Sequence, residues 1–337
     1  MEKDRIKWID IAKGITIILV IIGHTVRTGG LACSIIRGVI FSFHMPLFFM
    51  LSCYTYRCSS DISELIRKVK RAAFHLLIPA AFVFAVHIAN DLINSFDLIS
   101  DLGYWKTQFY TLVFSSGMQT SFAGFDVPAM GMAWFFIALF IGRSLYDYIH
   151  LILEKDNLIL IACMILSCVG VCFGYAKWLP FSLDIVLAIM PLFYLGEKMR
   201  EEKYTQSVIK AFVIWIVLLL ITSPDFREWS YLELAVRRYP LYPICFIAAV
   251  FGTYFVCNIS KQIVKMGKIV NPLLFIGKYS LFLFVIHAID FYPIFSDIWR
   301  RSDSELINCV FRVCFDLVIF FIFMMCKLGL KKAVKKN

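Results

Sequence analysis

The sequence predicts an all-α membrane protein, a polytopic bundle of about ten transmembrane helices with both termini in the cytoplasm. Three observations support this fold class: the apolar composition, the recurrence of long apolar runs, and the distribution of Lys and Arg. Of the 337 residues, 60% are hydrophobic and 17% are charged, and the mean hydropathy is +0.77. A soluble domain has about half apolar and about a quarter charged residues. The composition therefore excludes an ordinary soluble domain.

The apolar runs set the expected helices. A helix needs about 20 residues to cross a bilayer, and no Gly/Ser- or Pro-rich linker separates the runs. We therefore expect a single membrane domain over residues 1–337. The predicted spans are residues 9–26, 35–56, 72–92, 132–152, 158–175, 184–199, 208–223, 241–260, 273–293 and 306–326.

The basic residues predict the orientation. With the N-terminus inside, the inner segments hold twenty Lys and Arg and the outer segments eight. This bias favours an even number of spans with both ends in the cytoplasm. The net charge of +10 comes from short clusters between apolar runs, which is typical of cytoplasmic loops and not of a nucleic-acid-binding surface. We expect membrane lipids as partners, and no nucleic acid.

Cysteines and connecting segments add two further expectations. The eleven Cys residues form no CxxC pair and no Cys/His spacing typical of a metal site, so we interpret them as packing residues and expect no metal. Segment 93–131 is the longest connection and carries scattered aromatic residues. We expect it to lie on the outer surface or to fold over the bundle as a lid.

The first span carries the strongest signal for chemistry. Ionisable groups inside a span are costly and are therefore functional candidates. Lys13 and His24 lie about 16 Å apart along a helix and point from nearly the same face. A snorkelling lysine and a hydrogen-bonded histidine would explain the same residues. Asp10, on the face of Lys13, is the expected ion-pair partner of Lys13, but is too far from His24 to orient the imidazole.

Other ionisable residues within spans have open interpretations. His44 precedes Met45-Pro46, and either Ser42 or His44 could satisfy the backbone that Pro46 disturbs; a substrate contact is the alternative. His287 and Asp290 are spaced for an imidazole–carboxylate pair, with a structural role favoured.

Two further pairs are interpreted as structural. Helical spacing predicts an ion pair between Arg312 and Asp316, and another between Arg143 and Asp147. The three histidines near span ends are most simply interfacial: His75, His87 and His150.

Four motifs together resemble acyltransferase family 3, the integral-membrane acyltransferases of surface glycans and related acceptors. Its first helix has a basic residue, ten intervening residues and a histidine, as Lys13 and His24 do. The other matching segments follow in order. They are Phe43-His44-Met45-Pro46-Leu47-Phe48-Phe49 with Leu51-Ser52, Ala133-Trp134-Phe135-Phe136, and Ile276-Gly277-Lys278-Tyr279-Ser280-Leu281 with Ile286-His287. The family usually has Arg where Lys13 stands and Gly where Cys53 stands; the second difference predicts a looser helix contact.

The resemblance implies an enzyme that transfers acyl groups other than aminoacyl groups, with His24 as general base and Lys13 beside it. A neutral imidazole suits this role because its ordinary pKa lies near working pH. The donor would be acetyl-CoA or another acyl-CoA, bound by Lys13, His44, Arg67, Lys68 and Arg71. Anionic lipids are the alternative ligand of the basic segment 57–71. Supporting residues would be Asp10, Trp134, Ser280, His287 and Asp290.

We therefore expect a membrane O-acyltransferase, in particular an O-acetyltransferase, that modifies a sugar or lipid-linked glycan at the bacterial plasma membrane. The absence of a Gly-x-Ser-x-Gly elbow favours direct transfer. The protein would act alone, as a homodimer, or with a separate transferase on the acceptor side. A proton-coupled transporter or lipid flippase is the alternative, although no repeated halves support it. A scaffold would leave the Lys13–His24 stripe unexplained.

Overall fold

The protein is almost entirely helical, as the apolar runs predict. A computed structural model describes residues 5–26, 30–122, 124–201, 207–223 and 230–334, with side chains through Gly329. The N-terminal half contains α1 (Lys7–Thr25), α2 (Leu31–Phe41), α3 (His44–Tyr54), α4 (Ile62–Asn94), α5 (Leu102–Phe114), the strands β1 (Thr120–Phe122) and β2 (Phe125–Val127), and α6 (Trp134–Ile152).

The C-terminal half continues with shorter and longer helices. They are α7 (Asp156–Ala176), α8 (Leu183–Ala188), α9 (Met190–Lys198), α10 (Val208–Thr222), α11 (Ile244–Ile263), α12 (Asn271–Lys278), α13 (Ser280–Ile289), α14 (Pro293–Trp299) and α15 (Glu305–Val334). The two strands pair antiparallel in a small hairpin. The main hydrophobic core extends from Ile9 to Met324.

Each of the ten predicted spans overlaps a helical segment. Within the described residues, seven helices are long and apolar enough to cross a membrane, and up to nine if two bent pairs each count as one span. The bent pairs are α8 with α9 (49°) and α13 with α14 (101°), and α10 is only 15 residues long. The number of crossings and the cytoplasmic position of the termini stay predictions.

Helix α1 lies inside the bundle, and glycines let a neighbour approach it closely. A Cβ on Gly277 would lie 1.6 Å from the backbone oxygen of Asp10, and a Cβ on Gly14 would lie 2.6 Å from that of Leu273. The two glycines therefore allow α1 and α12 to touch backbone to backbone. This contact fixes the helix that carries Lys13 and His24.

Helices α1 and α3 run antiparallel. Their ring pairs show this: His24 lies 6.5 Å from His44 at one end, and Trp8 lies 5.1 Å from Tyr54 at the other. The bundle thus has a His24 end and a Trp8 end. Helix α4 starts near the Trp8 end, since it follows Tyr54 closely in the chain.

The second predicted span is broken at Ser42-Phe43, one turn before Pro46, whose ring nitrogen cannot donate to a carbonyl. The Ser42 hydroxyl donates to the Val39 oxygen (2.8 Å), and His44 Nδ1 lies 3.2 Å from the Ile40 oxygen. Both side chains thus bind backbone oxygens at the break, those of Val39 and Ile40, and not the Ser42 oxygen that Pro46 leaves without a donor. Cys53 is buried, and the tight contact in this helix is made by Gly196, whose Cβ would lie 2.2 Å from the Met50 oxygen.

Two sequence expectations, that of a basic loop over residues 57–71 and that of a pair between Arg143 and Asp147, are wrong. Residues 62–71 are not a loop but the first turns of α4, which Asp61 caps by accepting from the Glu64 amide (2.8 Å). Segment 93–131 holds α5 and the hairpin. Asp147 pairs not with Arg143 but with the Tyr56 hydroxyl (2.5 Å) and with the amide and hydroxyl of Ser59 (2.6 and 2.7 Å). Helical spacing could not reveal these partners, because they come from another part of the chain.

Candidate active site

A cavity of about 630 Å³ occupies the His24 end of the bundle. Helices α1, α2, α3, α4, α6 and α13 all contribute to its wall, as does the chain around Leu232–Val236. Segment 93–131 contributes Gly117, Met118 and Ala129–Gly131, so it folds over the bundle at this end. The polar or ionisable side chains of the wall are His24, Arg37, His44, His87, Glu233 and Tyr292, among apolar residues that include four methionines.

His24 lies in the last turn of α1, is partly exposed and lines the cavity. Aromatic rings surround it at centroid distances of 5.0 Å for Phe41, 5.5 Å for His287, 6.3 Å for Phe291 and 6.5 Å for His44. His24 is therefore held by packing on several sides and open on the side of the cavity. An imidazole in this position can exchange a proton with a bound molecule.

Behind His24 lies a buried cluster of His287, Asp290, Arg312 and Asp316, which we call the Arg312 cluster. His287 Nδ1 lies 3.3 Å from Asp290 Oδ2 and 3.1 Å from Asp316 Oδ2. The predicted pair of His287 with Asp290 is thus present. It lies beside the cavity, and it includes Asp316 as well.

The predicted pair of Arg312 with Asp316 is wrong. Arg312 donates to both carboxylate oxygens of Asp290, from Nε at 2.7 Å and from Nη2 in a short contact. Its guanidinium also lies over the rings of Phe291 (4.3 Å) and Trp299 (4.4 Å). A planar, permanently charged fork suits such a bidentate pair. Asp290 comes from the bend after α13, which spacing along α15 could not reveal.

Two groups in the described chain have enough close ligand atoms to be considered for a metal. One is His287, Asp290 and Asp316, where Arg312 already binds both oxygens of Asp290. The other is Cys58, His150 and Glu197, where Tyr146 (2.5 Å) and Arg200 (3.1 Å) bind the two oxygens of Glu197. In both groups a protein cation already contacts the carboxylate that a metal would need.

Arg37 and Glu233 form a charged pair on the cavity wall that sequence reasoning missed. Arg37 Nη2 lies 3.4 Å from Glu233 Oε1, and Arg37 Nη1 donates to the Gly23 oxygen at 2.9 Å. Arg37 Nε also donates to the Tyr231 hydroxyl at 3.2 Å. Arg37 could have been identified as a candidate site residue, because it is a cation inside an apolar run. Glu233 lies between predicted spans, and the sequence gives no comparable indication for it.

His87, interpreted from the sequence as interfacial, contributes to the cavity wall, and its depth in the membrane stays a prediction. His87 lines the cavity, stacks against Tyr292 (6.3 Å) and has Nε2 3.6 Å from Asp91 Oδ2. Helix α4 is 33 residues long, so His87 lies well inside it. His75 is exposed, and His150 lies 3.5 Å from Glu197 near the end of α6.

Lys13 and Asp10 lie away from the cavity. Lys13 is partly buried, about 16 Å along α1 from His24, and is not among the described residues of the cavity wall. Asp10 pairs with Arg5, at 2.9 Å from Nε and 2.6 Å from Nη2, and not with Lys13 as predicted. The structure thus places the basic residue and the histidine of the first-helix motif, Lys13 and His24, at different depths of the same helix.

The remaining predicted site residues divide between the two ends. His44 and Trp134 line the cavity. Arg67, Lys68 and Arg71 lie on the first turns of α4, towards the Trp8 end, and Lys68 is bound by Glu64 (3.2 Å) and by the Arg57 oxygen (2.7 Å). Ser280 begins α13 and is partly buried.

Comparison with known proteins agrees with these motifs. The family model described as an acyltransferase domain, that of acyltransferase family 3, matches residues 6–327, nearly the whole chain. No curated protein matches the chain. The match includes all of α1, the cavity wall and the Arg312 cluster. The chain therefore belongs to acyltransferase family 3 and is a membrane acyltransferase.

Proposed function

We propose that the protein transfers an acyl group, in particular acetyl, from acyl-CoA to a hydroxyl of a sugar or lipid-linked glycan, with His24 as general base. The observation that carries this proposal is the position of His24. It is the imidazole of the family motif, and it lies on the wall of a cavity of about 630 Å³ at one end of the bundle. Cavities of this size accommodate small molecules or parts of larger ones.

The reaction needs one base. The acceptor oxygen attacks the thioester carbonyl carbon, a C–O bond forms, and the C–S bond breaks. His24 takes the hydroxyl proton during attack and returns it to the departing thiolate, so that the products are an ester and free CoA thiol. A positioned general base of this kind contributes about 10²- to 10⁴-fold to a rate.

The cavity wall favours a polar acceptor. Arg37 and Glu233 present a guanidinium and a carboxylate, which can bind several hydroxyl groups as donor and acceptor. Trp134, Phe41 and Tyr292 add aromatic rings, which pack well against the apolar faces of sugar rings. The methionines of the wall, such as Met118 and Met132, provide an adaptable apolar surface for the acyl group.

The donor would enter from the Trp8 end, which the distribution of Lys and Arg predicts to face the cytoplasm. Arg67 and Arg71 are exposed there and can meet the phosphates of CoA. Lys13 lies farther along α1 towards His24, where a cation would face the polar arm that joins the nucleotide to the thioester. The acyl end of the donor would then extend about 16 Å farther along α1, from Lys13 to His24.

Replacement of His24 tests the proposal. Membranes containing the protein are supplied with radiolabelled acetyl-CoA, and label transferred to the glycan and lipid fractions is measured. His24→Ala should lower transfer by about 10²-fold or more, because the hydroxyl loses its proton acceptor. His75→Ala is the matched control, since His75 is exposed and away from the cavity. Transfer by His24→Ala within a few-fold of the unmodified protein would refute the role of His24.

A further inference from the structure

The Arg312 cluster holds more negative than positive fixed charge. Asp290 and Asp316 supply two carboxylates, and Arg312 supplies one guanidinium. All three side chains are essentially inaccessible to solvent, as is His287. Arg312 binds both oxygens of Asp290, which leaves Asp316 without a permanent cation among the described residues. A buried carboxylate without a counter-charge is costly.

The hydrogen bonds define the orientation of His287. An ionised carboxylate only accepts hydrogen bonds; when Asp290 and Asp316 are both ionised, His287 Nδ1 is therefore the donor to both. His287 Nε2 and Asp316 Oδ1 are buried and have no hydrogen-bond partner in the part of the chain that the structure describes. The His287 ring lies 5.5 Å, centre to centre, from that of His24. His287 therefore lies between the surplus carboxylate and His24.

Other groups around His24 do not supply this negative charge. His44 faces it from α3 and Arg37 from α2, and Arg312 from α15 is the nearest cation of the cluster. Thr25, next to His24 on α1, contacts Arg312 Nη1 at 3.4 Å. Each of these is either neutral or positive. Glu233 lies on the same cavity but is paired with Arg37.

We infer that His287 is a positioning residue through which the surplus carboxylate of Asp316 stabilises the imidazolium that forms on His24 during acyl transfer. The inference rests on the proposed role of His24 as the base. When His24 takes the acceptor's proton, the positive charge forms beside a cluster that carries one excess negative charge in the state in which Asp316 is ionised and His287 is neutral. The free-energy cost of burying the Asp316 carboxylate falls when this positive charge forms on His24. The carboxylate therefore stabilises the transition state more than it stabilises the resting enzyme.

The test measures the protonation of His24 without any substrate. Diethyl pyrocarbonate modifies neutral imidazole, and mass spectrometry measures how much of the His24 peptide is modified as pH changes. Asp316→Asn removes the charge but keeps an oxygen that can accept from His287 Nδ1. Because an opposite charge favours the protonated ring, the half-modification pH of His24 should fall by about one unit in this variant. A half-modification pH equal to that of the unmodified protein would overturn the inference.

Asp147→Asn is the matched control. Asp147 is an equally buried carboxylate held by Tyr56 and Ser59, and it is absent from the described cavity wall. This variant loses hydrogen bonds as well as a charge, but the half-modification pH of His24 should not move. An equal shift in both variants would also contradict the inference, because it would reflect general loosening of the bundle.

A second variant covers the case in which Asp316→Asn does not fold. His287→Asn leaves both carboxylates but removes the ring that joins them to His24, and it should shift the half-modification pH in the same direction. The transfer assay separates the two proposals. If His24→Ala still transfers acetyl, the proposed function fails whatever the titration shows. If His24→Ala is inactive and neither variant shifts the titration, only the role of His287 fails.

Discussion

Among the residues that the structure describes, two pairs of Arg and Asp are fully buried, and they differ in how many of the surrounding polar atoms have hydrogen-bond partners. One is Arg237 with Asp184, joined at 2.7 Å from Nε to Oδ2. Arg237 also donates to the hydroxyls of Ser116 (2.8 Å) and Ser182 (3.3 Å), and Asp184 accepts from the Leu179 amide (3.2 Å). The other is Arg312 with Asp290, in the cluster beside His24.

The first pair has one cation for one carboxylate, and its hydrogen bonds connect three parts of the chain, around Ser116, residues 179–184 and Arg237. The second has one cation for two carboxylates, and it leaves His287 Nε2 and Asp316 Oδ1 without partners among the described residues. Buried polar groups are normally satisfied, and an exception calls for a reason. We therefore interpret the pair of Arg237 and Asp184 as structural, and we propose that the Arg312 cluster takes part in the chemistry.

The largest effect expected from this comparison is on stability. Arg237→Met would leave the Asp184 carboxylate buried without its cation, which destabilises by about 3–5 kcal/mol. Thermal unfolding of the purified protein in nanodiscs measures this loss. Acetyl transfer per folded molecule should change much less, because Arg237 lies outside the Arg312 cluster.

The control is Arg301→Met, at an exposed arginine whose Nε contacts only the Ile298 oxygen at 3.4 Å among the described partners. Its unfolding temperature should stay close to that of the unmodified protein. If Arg237→Met were equally stable, or if its folded molecules lost transfer as His24→Ala does, the division into a structural and a chemical pair would be wrong.

A smaller loss of stability is expected when one hydroxyl partner of each arginine is removed. Ser116→Ala removes an acceptor of Arg237, and Thr25→Val removes one of Arg312. Each should cost about 1 kcal/mol of stability, the usual net value of a hydrogen bond. Thr25→Val should in addition lower acetyl transfer per folded molecule, by less than about tenfold, because Thr25 joins the cluster to α1 beside His24. Equal transfer by the two variants would remove this distinction.

The sequence predicted much of the framework. Apolar runs located the helices, because a membrane span must be long and apolar and must satisfy its own backbone hydrogen bonds. The Lys13 and His24 motif identified the histidine that the structure places at the cavity. Pro46 predicted the distorted backbone at Ser42 and His44, since proline removes a known hydrogen bond.

The partners of charged side chains could not be predicted in the same way. Helical spacing identifies only neighbours within one helix, so it paired Arg312 with Asp316 and Asp10 with Lys13. The observed partners of Arg312 and Asp316 come from the α13–α14 bend and from α13, and Asp10 pairs with Arg5, which precedes α1. Such contacts depend on how distant segments pack against each other, and the helical periodicity of a single segment does not predict that packing.

The same limit applies to the cavity wall. Arg37 and His87 were visible as ionisable residues in apolar runs, but nothing in the sequence joined them to His24. Glu233 lies between predicted spans and reaches the cavity through its pairing with Arg37. Tertiary packing brings Arg37, His87 and Glu233 together with His24 on the cavity wall.

The most direct test of the central claim is a cryo-EM map of the protein with a non-transferable thioether analogue of acetyl-CoA. We expect density for the acyl end of the analogue inside the cavity, beside the His24 ring, and density for its nucleotide at the Trp8 end. An analogue whose acyl end lies outside the cavity, separated from the His24 ring by packed helices, would contradict the central claim.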